Sequence, residues 1–311
     1  MKIKDAGEIG LIRRLARKTR PGSGVVKGIG DDTAVIKWTK DKYLLFTCDM
    51  LVEDVHFRRK AATPFEIGWK ALGRNISDIA AMGGLPKYAV VSIGLDPELP
   101  LSFADGVYKG MASLARKFNV SIVGGDTTRS KKLVIDVSLI GEVEKKNLVL
   151  RSGAKAGDLI LVTGSIGGSI KRKHLSFTPR VEEARRLVRD FKVNSMIDIS
   201  DGLIIDLWRI LGSSRVGGRI YESAVPLSRE ERSFDKAIYE GEDFELLFTM
   251  SVKEARRFFK TALDRMPTSV ALIGEVIDKK HGYKLIREEG EVEELKPKGY
   301  LHFQGKHEIY F

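Results

Sequence analysis

The chain has 311 residues, a net charge of +11, and a composition that is 43% hydrophobic and 31% charged. This suits one large or two ordinary globular domains with real cores, and no apolar run approaches the roughly 18 residues needed to cross a bilayer. A single cysteine, Cys48, excludes an intrachain disulfide and a cysteine-based zinc site.

The N-terminal "MKIKDAGEIGLIRRLARK" lacks the apolar core and small-residue cleavage site of a signal peptide, so a cytoplasmic location is expected. "KYLLFTCDM" and "KYAVVSIGL" read as strands separated by a helix over about residues 64–82. A helix at about 102–118 leads to "VSIVGGD" and the strand "KLVIDVSLIGEV". The turn-rich "RSGAKAGD" sets a boundary near 150, dividing residues 1–149 from 150–311. Beyond it come the strand "LILVTG", a basic helix at 181–191, "IDISDGLIIDLWRIL", "EDFELLFTM", a helix near 252–264 and terminal strands. In "IDISDGLIIDLWRIL", Ile197 and Ile199 alternate like a strand, and Leu203, Ile204, Leu207, Trp208 and Leu211 follow helical spacing. Strands and helices mixed in both halves predict an α+β fold of two domains.

Aspartates recur at strand ends and beside glycines: Asp31 and Asp32 in "GIGDDTAVI", Asp49 in "FTCDMLVEDVHF", Asp78 in "NISDIAAMGG", Asp126 in "IVGGDTTRS", and Asp198 and Asp201 in "IDISDGL". Each alone fits an ordinary turn, cap or helix pair. Together they suit a hard cation such as Mg²⁺, which takes oxygen ligands alongside substrate phosphates. Neighbouring glycines let backbone N–H groups approach phosphate oxygens. Asp206, further along the same helix, reads as a surface or structural residue. P-loop, GxGxxG, kinase and GxSxG signatures are absent. The basic stretch "KRKHLSFTPRVEEARRLVRDFK" is interrupted by acids and accompanies no nucleic-acid-binding signature, so it reads as a solvated surface and no nucleic acid is expected.

The ordered set "GIGDDTAVI", "TCDMLVEDVHF", "KALGRNISDIAAMGG", "GGDTTRS", "RSGAKAGD", "IDISDGLIIDL", "EGEDFELLFT" and "KGYLHF" resembles the thiamine-monophosphate kinases of the aminoimidazole ribonucleotide synthetase-like superfamily. The resemblance implies phosphorylation of thiamine monophosphate by ATP with several Mg²⁺ ions. It also implies two mixed α/β-layer domains and a homodimer whose N-terminal strands form a barrel across the interface. By motif it gives Asp32, Thr47, Cys48, Asp49, Asp78, Asp126, Asp198 and Asp201 to metal, and Tyr108, Gly125, Asp126, Arg151 and Ser200 to ATP. His56, Glu242 and Tyr300 match substrate positions. Three departures stand out. Cys48 replaces a common hydroxyl residue, a helix-sized segment is missing between Gly168 and Pro179, and Tyr300 stands where tryptophan also occurs. Superfamily rivals carry an early reactive cysteine or a terminal one; no cysteine precedes Cys48, and this chain ends "HEIYF".

Overall fold

The computed structural model describes residues 2–303; the "HEIYF" ending lies outside the described residues. The first sheet is built from β1 (Val25–Lys27), β2 (Ala34–Lys37), β3 (Lys42–Val52), β4 (Leu85–Leu95), β5 (Ser121–Arg129) and β6 (Val134–Glu144). Their order is β1-β2-β3-β6-β4-β5, antiparallel except for the β4–β5 pair. A kinked helix, α1 (Ile3–Ala16), precedes the sheet.

Two helices, α2 (Pro64–Ala81) and α3 (Leu101–Phe118), cover one face of this sheet. Thr63 caps α2: its side chain accepts the Glu66 N–H, and Glu66 returns a bond to the Thr63 backbone, with Pro64 pre-set at the first helical position. The two helices touch backbone to backbone. A Cβ on Gly68 would lie 1.8 Å from the Val107 carbonyl oxygen, and one on Gly110 would lie 1.9 Å from that of Phe65. Only glycine permits this approach. The opposite face of the sheet is open, with Phe46, Met50, Tyr88, Val90 and Val123 exposed.

The second sheet contains β7 (Asp158–Thr163), β8 (Ser195–Asp198), β9 (Gly217–Tyr221), β10 (Leu246–Ser251), β11 (Val270–Ile277), β12 (Tyr283–Ile286) and β13 (Val292–Glu294). They run in the order β13-β12-β9-β11-β7-β10-β8. Four helices accompany them: α4 (Val181–Asp190), α5 (Leu203–Ser214), α6 (Phe234–Tyr239) and α7 (Val252–Thr261). The fold is α+β, with mixed strands and helices in both halves.

Strand alternation divides the second core. Leu161, Met196, Leu246 and Phe248 join one hydrophobic cluster with α2 and the first sheet, while Ile160, Val162, Ile197 and Leu247 join α5 in another. The first cluster therefore runs without a break from one half into the other. Each fully buried Leu, Ile or Phe contributes roughly 1.5–3 kcal/mol, so separating the halves would expose many such side chains.

Two local features shape the second half. "EDFELLFTM" becomes a strand only at Leu246, because Glu242 and Phe244 take left-handed φ values of 68° and 51°, which no strand accommodates. The stretch between Gly168 and Pro179, expected to lack a helix-sized segment, is spanned by two single 3₁₀ turns, Ser169–Lys171 and Lys173–Leu175.

Candidate active site

Three elements converge where the halves meet. The β3 strand presents Thr47 and Asp49 two residues apart, both on the face towards α2. The last turn of α2 supplies Ser77 and Asp78, and β8 ends at Asp198. Asp32 arrives from the turn before β2. One oxygen from each of Asp32, Asp78 and Asp198 lies within 4.8 Å of the others.

Compensation of these charges is uneven. Arg151 bonds Asp32 at 2.7 Å, and Arg74 bonds Asp49 at 3.1 Å. Asp78 and Asp198 receive neutral donors instead: Thr47 donates to Asp78 at 2.5 Å and Ser77 to Asp198 at 2.6 Å. Among the described residues neither carboxylate has a salt-bridge partner. Burial pushes both carboxyls well up, and the neighbouring carboxylates add to the shift. Asp32 Oδ2 is buried without a hydrogen-bond partner among the described residues. A buried all-oxygen set short of positive charge fits a divalent cation such as Mg²⁺.

Asp206 organises the adjoining turn. Its Oδ2 accepts the backbone N–H groups of Ser200, Asp201 and Gly202 at 3.1, 3.0 and 3.2 Å. Its Oδ1 receives Arg209 at 2.5 Å, and Arg209 also reaches Asp201 at 2.6 Å. Burial pushes the Asp206 carboxyl up against the pull of Arg209, but a partner set made wholly of N–H donors requires the ionised form. Asp206 is fully buried, so its role is structural and the surface alternative is excluded.

Beside the carboxylates lies a cavity of about 530 Å³, lined in part by His56, Phe57, Arg74, His174, Ser200, Asp201, Glu242, Phe244, Tyr300 and His302. Tyr300 is placed by its own N–H, which donates to the Asp201 carbonyl at 2.8 Å. His56 Nδ1 accepts the Val52 N–H at 3.0 Å, and burial with nearby Arg74 pulls the ring down to about 4. His56 is therefore neutral near pH 7, with its proton on Nε2.

Four consecutive residues, Glu242 to Glu245, clasp the shortened segment between Gly167 and Arg180. Glu242 meets His174 at 2.7 Å, and Asp243 accepts the Gly167 N–H at 3.1 Å and the Ser169 hydroxyl. Phe244 stacks on Phe177 with centroids 3.9 Å apart, and Glu245 receives Lys173 at 2.8 Å and Arg180 at 2.6 Å. An extended strand would send alternate side chains to opposite faces. The left-handed φ values at 242 and 244 remove that alternation.

The sequence-derived residues separate into groups. Asp32, Thr47, Asp49, Asp78, Asp198, Asp201, Arg151 and Ser200 meet where the halves join, and His56, Glu242 and Tyr300 line the cavity. Cys48 is exposed on the opposite face of β3, its thiol 3.7 Å from Asp136 Oδ1, so only its carbonyl remains available to a metal. Gly125 and Asp126 do not join the cluster within this chain. In register, Asp126 pairs with Ser92, Ser92 with Asp136, and Asp136 with Met50, all on the open face of the sheet. That strand lies three steps from β3, about 14 Å away at ordinary strand spacing. Tyr108 is on the outer side of α3, outside the cavity lining.

Lys70 and His174 were missed, and Arg74, read only as an ordinary helix partner of Asp78, pairs instead with Asp49. Lys70 and Arg74 stand eight and four residues before Asp78 on α2, a spacing that puts all three on one helical face. His174 has no comparable signal, because its contacts arise only through tertiary packing.

The AIR synthase related protein N-terminal domain matches residues 30–143, and the corresponding C-terminal domain matches 155–286. A thiamine-monophosphate kinase from Rhodopirellula baltica is 35% identical over 305 residues, covering 93% of this chain and 95% of the relative. The enzyme of the same name from Bacillus subtilis is 34% identical over 325 residues, covering 96% and 99%. The chain belongs to the thiamine-monophosphate kinase family. Within the thiamine-monophosphate kinases, the solved structure of AaThiL complexed with AMPPCP and TMP superposes with a TM-score of 0.83 at 32% identity, covering 97% of this chain and 99% of that one.

Proposed function

We propose that this protein transfers the terminal phosphoryl group of ATP directly to thiamine monophosphate, giving thiamine diphosphate and ADP. The observation that carries the reading is the convergence of Asp32, Asp78 and Asp198 beside the cavity lined by His56, Glu242 and Tyr300. Likeness to the AMPPCP and TMP complex supports it.

The acceptor is a phosphate monoester with a second pKa near 6, so at pH 7 it is largely ionised and needs no strong general base. The barrier is electrostatic, since an anionic acceptor must approach an anionic triphosphate. Several Mg²⁺ ions held by Asp32, Thr47, Asp49, Asp78, Asp198, Asp201 and the Cys48 carbonyl would neutralise that repulsion and stabilise charge in flight. Asp206 fixes the Ser200–Asp201 turn against the carboxylate cluster, and Ser200 with Arg151 flanks the nucleotide. Glu242 receives the cationic or amino groups of the thiamine moiety, and Tyr300 offers a ring on which it stacks.

A cytoplasmic homodimer belongs to this reading. Closing the open face of the first sheet into a barrel would cover Phe46, Met50, Tyr88 and Val90. Asp126, on that face, with Gly125 next to it along β5, would then act at the nucleotide site of the assembled dimer, and the resemblance gives Tyr108 to the same nucleotide.

The test is a panel of acceptors with Mg·ATP, resolving products by chromatography. Formation of thiamine diphosphate and ADP in equal amounts is expected. Turnover of another acceptor, with none of thiamine monophosphate, would overturn the proposal.

A further inference from the structure

Lys70 is fully buried on α2, yet its ammonium has well-placed partners. It donates to the His56 carbonyl at 2.7 Å and to Glu242 Oε2 at 2.6 Å. His174 Nδ1 lies 2.7 Å from the same Glu242 oxygen and 2.8 Å from the Lys70 nitrogen. Only one of the two His174 contacts can use a proton on Nδ1. An ionised carboxylate oxygen is the stronger acceptor, so that proton points to Glu242. The approach of Lys70 to His174 is then the closeness of two donors that share one acceptor.

Burial lowers Lys70 to about 8 in spite of Glu242, while the His174 hydrogen bond and Lys70 hold Glu242 at about 2 against the effect of burial. Both groups are therefore charged near pH 7. All of this bonding falls on Oε2. Oε1 takes part in none of it, although Glu242 lines the cavity and its side chain keeps 21% of its exposure. Glu242 is further fixed by its own N–H, which donates to the Ser200 carbonyl at 2.7 Å.

We propose that His174 and Lys70 are positioning residues for Glu242, gripping Oε2 so that Oε1 is kept as the acceptor for the amino-bearing, cationic part of the substrate. This rests on the reading of the cavity as the thiamine monophosphate site. His174 belongs to the short segment that stands in place of a helix, so this chain fixes substrate recognition through a residue of its shortened loop. The cavity commits an ionised acceptor without spending both carboxylate oxygens on the protein.

Two variants and the wild-type protein test the assignment. H174L removes the donor at similar bulk, whereas H174N restores an N–H at the place of Nδ1. H174L is expected to raise KM for thiamine monophosphate about tenfold or more, with kcat and KM for ATP changing less than about twofold. H174N is expected to return to within about threefold of wild type. Isothermal titration of thiamine monophosphate should show the same order of affinities. If H174L fails to fold, H174Q, whose amide reaches beyond the Nδ1 position, carries the same expectation. A folded H174L or H174Q with wild-type KM would overturn the assignment, as would an H174N as impaired as H174L. Wild-type protein that neither binds nor phosphorylates thiamine monophosphate would instead remove the substrate reading beneath it.

Discussion

Replacing Asp206 with Asn tests whether one buried carboxylate holds the Ser200–Asp201–Gly202 turn in place. The wild-type side chain accepts three backbone N–H groups through one oxygen and Arg209 through the other. Asn keeps a single carbonyl acceptor. Either the turn or the guanidinium must then face an NH₂ group. Breaking a buried charge pair costs about 3–5 kcal/mol, and the remaining acceptor places D206N near the lower end, about 3 kcal/mol. That is a large part of an ordinary total stability of about 5–15 kcal/mol, and for a chain of 311 residues corresponds to a fall of about 5 °C in melting temperature. Arg209, released from Asp206, remains paired with Asp201 and draws it from its place, so turnover should fall about a hundredfold. Urea unfolding followed by circular dichroism reads the first effect, and a Mg·ATP assay at saturating substrate reads the second. A D206N protein within 0.5 kcal/mol of wild type, turning over at the same rate, would refute the reasoning.

Three further outcomes follow from the electrostatics. Removing one charge from the crowded carboxylates relieves repulsion, so D198N should melt no lower than wild type in chelator; added Mg²⁺ should raise the melting temperature of wild type but not of D198N. An equal Mg²⁺ shift in both proteins would refute the metal role of Asp198. His56 should titrate near 4 in histidine NMR spectra and remain neutral through pH 5–8; an ordinary midpoint near 6.5 would contradict its bond to the Val52 amide. Glu242 is held at about 2 against an ordinary 4.5, so its ionised form adds stability above pH about 4.5 that is lost as pH falls towards 2. The difference in unfolding free energy between wild type and E242Q should thus be about 3 kcal/mol at pH 7 and shrink on acidification; a difference independent of pH between 2 and 5 would refute the linkage.

Much of this architecture is written locally. The Thr63–Glu66 capping box and the apolar periodicity after it define α2, and the change from alternation to helical spacing around Gly202 marks the β8–α5 junction. The carboxylates were legible as a recurring set of short acidic motifs, although only Asp198 proves to end its strand, while Asp49 and Asp126 lie within strands and Asp78 in α2. What escaped was set by conformation or by long-range pairing. Periodicity does not report the left-handed backbone at Glu242 and Phe244. Linear order does not tell which face of β5 carries Asp126, or that it stands three strands from Asp49. Asp206 read as no more than a surface or structural residue because most of its partners are backbone amides, which every sequence possesses.

The α2 helix serves both ends of the site. Lys70 holds the cavity wall and Asp78 belongs to the acidic cluster, and eight residues at 1.5 Å each separate them by about 12 Å along the axis. Because α2 is packed on several sides, that interval does not flex with the occupant. On the proposed reading the helix is a fixed gauge of molecular length, matching the distance from an amino-bearing ring to a phosphate. An acceptor shorter by one methylene could satisfy one end of the gauge only by abandoning the other.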